Sequence, residues 1–222
     1  MISCMNRSYF LIKVFLVSAD KRISVTEVKA MKAKTTKEAI KGKLRAGEVY
    51  RASDFEELSS NATRDLKQLE AEGVLKYLEP SLYYRPKQAS FGEVAASECK
   101  LLRKFLQSDD FVVYNPSKFN GLRLGMTQVY NKKVVFNTVR SGVLTVGGRE
   151  FHFRKWRKAP KKVTAEFLLV EMVNTLDSLA EDRAKVLETL ADKMDRFESQ
   201  DLSKALANFG NKSTQKTFKK MM

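Results

Sequence analysis

Between residues 35 and 87 the apolar positions fall first at helical and then at strand spacing. Thr35 or Thr36 can cap a helix whose apolar residues Ala39, Ile40 and Leu44 share one face, with Gly47 closing it. Val49 and Tyr50 form a short extended piece. Ser53 then caps a second helix over 54–58, with acidic residues in its first turn where the helix dipole favours them. Ser59 or Ser60 begins a third helix, apolar at Ala62, Leu66 and Leu69 and ended by Gly73. Residues 74–78 and 82–85 read as two strands joined at Glu79-Pro80-Ser81, with proline at a turn position it favours. Helix, short strand, helix, helix, hairpin is the order of a winged helix-turn-helix.

The second half changes period. A helix is predicted over 90–107, apolar at Val94, Ala95, Cys99, Leu102 and Leu106, as a bridge between halves in which Cys99 is a small core residue. Short β-rich runs follow at 111–114, 127–130, 133–137, 143–146 and 150–154, separated by the turn signals Asn115-Pro116, Asn131-Lys132 and Gly147-Gly148. Thr164 caps a helix so apolar around Phe167, Leu168, Val170 and Met172 that it belongs at the centre, and further helices are predicted at 179–197, 201–208 and 213–221. The fold class expected is α+β. A winged helix-turn-helix over 34–89 precedes a mixed α+β domain over 90–222, in which antiparallel strands lead into a bundle-like helical tail.

Residues 1–33 form a leader outside this scheme. Arg7 precedes an apolar run over 9–19, and Val17-Ser18-Ala19 resembles a signal cleavage site. Lys13 interrupts that run, and no later apolar segment reaches the roughly 18 residues of a membrane span. The leader is therefore read as a poorly ordered or upstream-initiated extension, with Met31 as an alternative start, and a cytoplasmic location without membrane attachment is expected.

Charge narrows the function. The chain carries 41 Lys plus Arg against 26 Asp plus Glu, a formal +15, which creates a field that attracts polyanions. Residues 31–90 hold 12 basic and 9 acidic side chains, whereas residues 91–222 hold 24 and 15, so most of the field belongs to the second half. His152 is the only histidine, and Cys4 and Cys99 have no neighbour at metal-ligand spacing. Imidazole zinc sites and Ser-His-Asp or Cys-His catalysis lose their usual residues, so no metal, cofactor or enzymatic activity is expected.

Helix three offers the sharpest candidate chemistry. A helix in the DNA major groove needs short polar residues near its N-terminus to approach base edges, and Arg or Lys farther along for guanine or phosphate. Ser60, Asn61, Thr63, Arg64 and Lys67 supply these. Lys76, Arg85 and Lys87 of the hairpin could touch phosphates, although Glu79 at its tip would repel them. The densest charge lies at Arg154, Lys155, Arg157, Lys158, Lys161 and Lys162, interleaved with Trp156 and without an acid. This tract could follow a phosphate backbone or serve only as a solvated connector.

Two sets of residues carry a family resemblance. The run Leu66-Lys67-Gln68-Leu69-Glu70-Ala71-Glu72-Gly73-Val74-Leu75, followed by Leu82-Tyr83-Tyr84-Arg85-Pro86-Lys87, resembles the recognition-helix end and wing of AbiEi-type antitoxins, the regulator half of type IV abortive-infection toxin-antitoxin pairs. Leu124-Gly125-Met126-Thr127-Gln128-Val129-Tyr130-Asn131, Gly147-Gly148-Arg149-Glu150-Phe151-His152-Phe153-Arg154 and Glu166-Phe167-Leu168-Leu169-Val170 are similar to the C-terminal domain of the same family. The resemblance spans about 35–222. It implies a DNA-binding repressor of its own operon that neutralises a nucleotidyltransferase-like toxin without a stable complex. It implies double-stranded operator DNA as a partner, bound by a monomer or weak dimer, with a dimeric form on DNA allowed. By position the groove-reading role falls on Ser60, Asn61, Thr63, Arg64 and Lys67, and a basic C-terminal surface on Arg149, Arg154, Lys155, Arg157 and Lys158. Two rival classes stand beside it: an interaction module whose basic C-terminal domain grips an acidic partner or the toxin, and an RNA-binding or nuclease-like enzyme.

Overall fold

A computed structural model describes residues 36–197 and 199–221; the leader, with the alternative start at Met31 and the candidate cap Thr35, lies outside them. The architecture is mixed α+β. Helix α1 covers 36–43, and its apolar side chain Ile40, with Leu44 just beyond, is buried. Arg85 donates from Nη1 to the Leu44 carbonyl at 2.6 Å, satisfying one of the carbonyls left open beyond α1. Strand β1 (Val49–Tyr50) leads to a 3-10 turn at Ala52–Phe55 in place of the predicted α-helix over 54–58. That turn is closed by Asp54, whose Oδ2 accepts from the Arg51 backbone N–H at 2.8 Å.

Helix α2 (Ala62–Ala71) ends as predicted at Gly73. Gly73 takes φ +72°, which glycine adopts without a Cβ clash. Its N–H bonds to Glu70 O and that of Val74 bonds to Leu69 O, the paired bonds of a Schellman cap. Strands β2 (Lys76–Leu78) and β3 (Leu82–Tyr84) form an antiparallel hairpin, and β1 pairs with the far side of β3, giving the order β1-β3-β2. Ile40, Phe55, Leu66, Leu69, Leu75 and Tyr83 close a first apolar cluster beneath this sheet.

The predicted helix over 90–107 is half replaced. Lys87–Ala89 (β4) and Gly92–Val94 (β5) pair as a small hairpin with Gly92 at φ +118°, so the helix, α3, begins only at Glu98 and runs to Leu106. A left-handed glycine and a strand ladder are both incompatible with helical backbone. Cys99 is exposed, and the core positions of α3 are Leu101, Leu102, Phe105 and Leu106.

Strands β6 (Phe111–Tyr114), β7 (Val134–Asn137), β8 (Gly142–Val146) and β9 (Arg149–Lys155) form one sheet in the order β6-β7-β9-β8. The expectation of antiparallel strands is corrected at one place: β9 lies between β8 and β7 and runs parallel to β7. Burial accounts for the insertion, because Phe151 and Phe153 must be covered on both flanks, whereas β8 buries only Val146 and suits an edge. Gly147 and Gly148, at φ +58° and +73°, make the two-residue turn between β8 and β9.

The predicted strand at 127–130 does not form. Its backbone bonds instead to side chains of the 3-10 segment Pro116–Leu122 and its cap. Tyr130 O accepts from Asn115 Nδ2 at 2.7 Å, Tyr130 N–H donates to Ser117 Oγ at 2.8 Å, and Asn120 Nδ2 donates to Gln128 O at 3.0 Å. One sheet face packs on α3, where Val135, Val146, Phe151 and Phe153 join Val49, Leu82 and Tyr84 in a cluster that straddles residue 90. The other face packs on α4 (Ala165–Thr175), capped by Thr164 Oγ1, which accepts from Phe167 N–H at 3.2 Å. Seven consecutive α4 residues from Phe167 to Val173 are buried. The predicted helix over 179–197 shortens to α5 (Arg183–Asp192), since Asp182 turns its side chain to cap it, and a separate 3-10 turn follows at Met194–Arg196. Helices α6 (Ser199–Phe209) and α7 (Lys212–Met221) complete the third cluster, in which Phe136, Phe167 and Phe209 meet edge to face.

Candidate nucleic-acid interface

Helix α2 separates two faces cleanly. Ala62, Asp65, Leu66 and Leu69 are buried, while Asn61, Thr63, Arg64, Lys67 and Gln68 are exposed on the other side. This division follows from the 3.6-residue period, with the buried set at i, i+3, i+4 and i+7. The helix start is pinned by Ser59, which is buried and accepts from the Asn61 N–H at 3.1 Å, and by Asn61 O, which accepts from Arg64 and Asp65. The exposed side chains, with Ser60, line one open groove that continues to Ala52 and Glu56 on the preceding turn. Arg64 and Lys67 form no ion pair among the described residues. Both cations are free for an external anion.

The three hairpin candidates are placed differently. Lys76 pairs with Glu93 at 2.6 Å, Arg85 is turned inward onto the Leu44 carbonyl, and Lys87 on β4 is exposed beside Gly47. The hairpin tip is also occupied, since Gly147 donates its N–H to Glu79 O at 2.7 Å. A Cβ on Gly147 would lie 2.9 Å from the Leu101 side chain, so glycine lets the β8–β9 turn close on α3. Lys100 paired with Glu48, and Lys104 with Asp54 at 2.8 Å, tie α3 to the same N-terminal elements.

The basic candidates of the second half divide into engaged and free groups. Arg149 donates to Ala96 O at 3.0 Å and lies 3.6 Å from Glu98. Arg154 reaches inward, its Nε 3.0 Å from Oε1 of Glu171, which is fully buried on α4. Tyr114 donates to the same oxygen at 2.9 Å, and Asn174 donates to Oε2 at 3.1 Å. Burial raises the Glu171 carboxyl above the ordinary glutamate value, while Arg154, Asn174 and Tyr114 pull it back. Burial, reinforced by the neighbouring carboxylate, also raises the Tyr114 hydroxyl. Trp156 is likewise committed, donating from Nε1 to Asn208 O at 2.8 Å.

Lys155, Arg157, Lys158, Lys161 and Lys162 remain exposed. The fold adds to them cations that the linear tract does not include. A groove brings Lys155, Trp156 and Arg157 beside Asn211, Lys212 and Gln215 at the start of α7, and Lys216, Lys219 and Lys220 are exposed along that helix. The signal was present in the sequence: residues 202–222 contain five lysines and no acid, and Lys212, Lys216 and Lys220 recur at i, i+4 on one face.

His152 is half-exposed, with Nε2 3.2 Å from Glu150. No group of three or more His, Cys, Asp or Glu among the described residues could hold a metal ion, and no described helix is long and apolar enough to cross a membrane. No family model, curated protein or solved structure matches the chain.

Proposed function

We propose that this protein is a sequence-specific DNA-binding regulator whose segment 34–89 works as a winged helix-turn-helix, with α2 as the element that enters the major groove. One observation carries the proposal: α2 seals Leu66 and Leu69 in a closed apolar cluster and holds Asn61, Thr63, Arg64, Lys67 and Gln68 to solvent along one groove. The B-DNA major groove is about 12 Å wide and admits an α-helix of about that diameter. Short side chains at the N-terminal end let the backbone approach base edges, Arg64 reaches a guanine edge, and Lys67 a phosphate. The wing contributes little, because Lys76 and Arg85 already have protein partners and the hairpin tip is docked on Gly147. The exposed lysines of the second half add a charge-driven attraction that does not depend on sequence.

The resemblance to AbiEi-type antitoxins extends this to a repressor of its own operon and an antidote to a nucleotidyltransferase-like toxin. That part rests on the similar residue runs alone. Selection of bound duplexes from a random pool tests the DNA reading: a discrete motif is expected for the intact chain, and recovery of unrelated sequences would overturn it. Coexpression with the product of the adjacent gene tests the antidote role, with rescue of growth expected and continued toxicity overturning it.

A further inference from the structure

Strand β8 ends the four-stranded sheet, and its outer edge is unpaired among the described residues. Which backbone groups face that edge follows from β9. The His152 N–H donates to Lys133 O on the β7 side, so His152 cannot also exchange hydrogen bonds with its β8 neighbour Val143. Val143, and by alternation Thr145, therefore direct their N–H and C=O groups outward. Proteins usually blunt such an edge with lysine, proline or a bulge. Strand β2, one of the two edge strands of the β1-β3-β2 sheet, carries Lys76 held by Glu93. In a chain that is 30% charged, β8 reads Gly-Val-Leu-Thr-Val, with Val143 55% and Leu144 36% exposed.

We propose that β8 is the interface with a second copy of this chain, the two β8 strands pairing antiparallel about a two-fold axis at Leu144 to make one continuous eight-stranded sheet. The strand complements itself in this register. Val143 lies opposite Thr145 of the second copy, and both present outward groups, so the two symmetric pairs exchange four hydrogen bonds. Leu144 meets its own copy at the axis in the closer, non-hydrogen-bonded kind of pair. The flanking side chains do not oppose this register. On the Val143 face β9 places His152 beside Val143 and Glu150 beside Thr145, 3.2 Å from each other within one chain, so no two like charges are brought opposite each other across the axis. The two nearest arginines are held elsewhere, Arg140 with its guanidinium carbon 4.5 Å from the Phe105 ring centre and Arg149 on Ala96 O and Glu98. A strand carrying Lys or Asp would lack this fit.

The test reads association without DNA, so its outcome is independent of the proposed regulator function. Sedimentation of the nuclease-treated chain in high salt should show a monomer–dimer equilibrium that Val143→Lys and Thr145→Pro each weaken. Proline at 145 removes an outward N–H and leaves the β9 ladder intact, so the loss of two symmetric hydrogen bonds should cost roughly tenfold or more in the dimer constant. Unchanged far-ultraviolet circular dichroism would show that both variants still fold. A second measurement reads the register. In a background with Cys4→Ser and Cys99→Ser, Leu144→Cys should form a disulfide-linked dimer under mild oxidation, because Cα atoms of such a pair lie about 4.5 Å apart. Val143→Cys, displaced from its own copy, should not. A wild-type chain that stays monomeric at every concentration overturns the proposal. So does a dimer that both edge variants leave intact, or cross-linking at 143 in place of 144.

Discussion

The α2 face and the basic surface of the second half are both polar and exposed, yet they are built differently. On α2, two cations stand among short uncharged side chains on one rigid helix whose underside is sealed by Leu66 and Leu69. On the second half, Lys155, Arg157, Lys158, Lys161 and Lys162 join the α7 lysines from a distant part of the chain. The first arrangement fixes the direction of a few donors and acceptors, as recognition of base edges demands. The second sums charge, and summed charge tolerates imprecise placement because counterion release depends on how many phosphates are neutralised. Arg154 belongs to the second set by sequence and to neither by geometry.

The two surfaces therefore part most clearly at Arg154. Arg154→Ala should destabilise the fold by about 3–5 kcal/mol, because it leaves the buried Glu171 carboxylate without its cation, held only by the neutral donors Tyr114 and Asn174. Thermal or urea unfolding measures this; a loss confined to DNA affinity would return Arg154 to the binding surface. The pH dependence adds a sign. A carboxyl whose folded pKa lies above its unfolded value of 4.5 contributes stability that is present below 4.5 and lost as pH rises through the folded value. Removing Arg154 takes away a stabiliser of the charged form, so the decline should extend to higher pH in the alanine variant. Glu171→Gln should flatten that window in either background.

Arg154 also marks the limit of what the sequence displays. Local backbone chemistry was legible: Gly73 and Gly147-Gly148 need left-handed conformations, and Thr164 precedes an apolar run, so each announced its turn or cap. Partnership across the fold was not. The alternation of 127–130 fits a strand, but nothing local says that Asn115, Ser117 and Asn120 will take its hydrogen bonds. The β7–β9 pairing is equally hidden, since period two tells which face a residue occupies and not which strand lies beside it. Arg154 looks like its basic neighbours until Glu171 is brought beneath it. The α2 face was readable because both of its faces are set by one helix.

Arg64 is the corresponding residue of the α2 face. Arg64→Ala should cost about 1–3 kcal/mol on the selected duplex and much less on unrelated DNA. Equal losses on both would move Arg64 from base reading to phosphate contact. Neutralising Lys155 and Arg157 should weaken both duplexes alike and flatten the plot of log affinity against log salt by about 0.9 for each phosphate contact removed. Lys212→Ala with Lys216→Ala should do the same if α7 shares that surface, and an unchanged slope would separate the helix from the tract.

The smallest effect is expected at the hairpin. Lys76 and Glu93 form an ion pair whose side chains are 56% and 30% exposed, so Lys76→Ala should change stability by only about 0–1 kcal/mol. Its effect on DNA separates two roles that the sequence left together. With the tip docked on Gly147 and Lys76 neutralised by Glu93, the variant should bind the selected duplex as the parent does. Glu93→Ala completes the test by freeing the lysine without removing it. Tighter binding in Glu93→Ala, reversed when Lys76→Ala is added, would put the hairpin within reach of phosphate; equal affinity in all four proteins would assign this strand to the body of the fold and leave groove reading to α2.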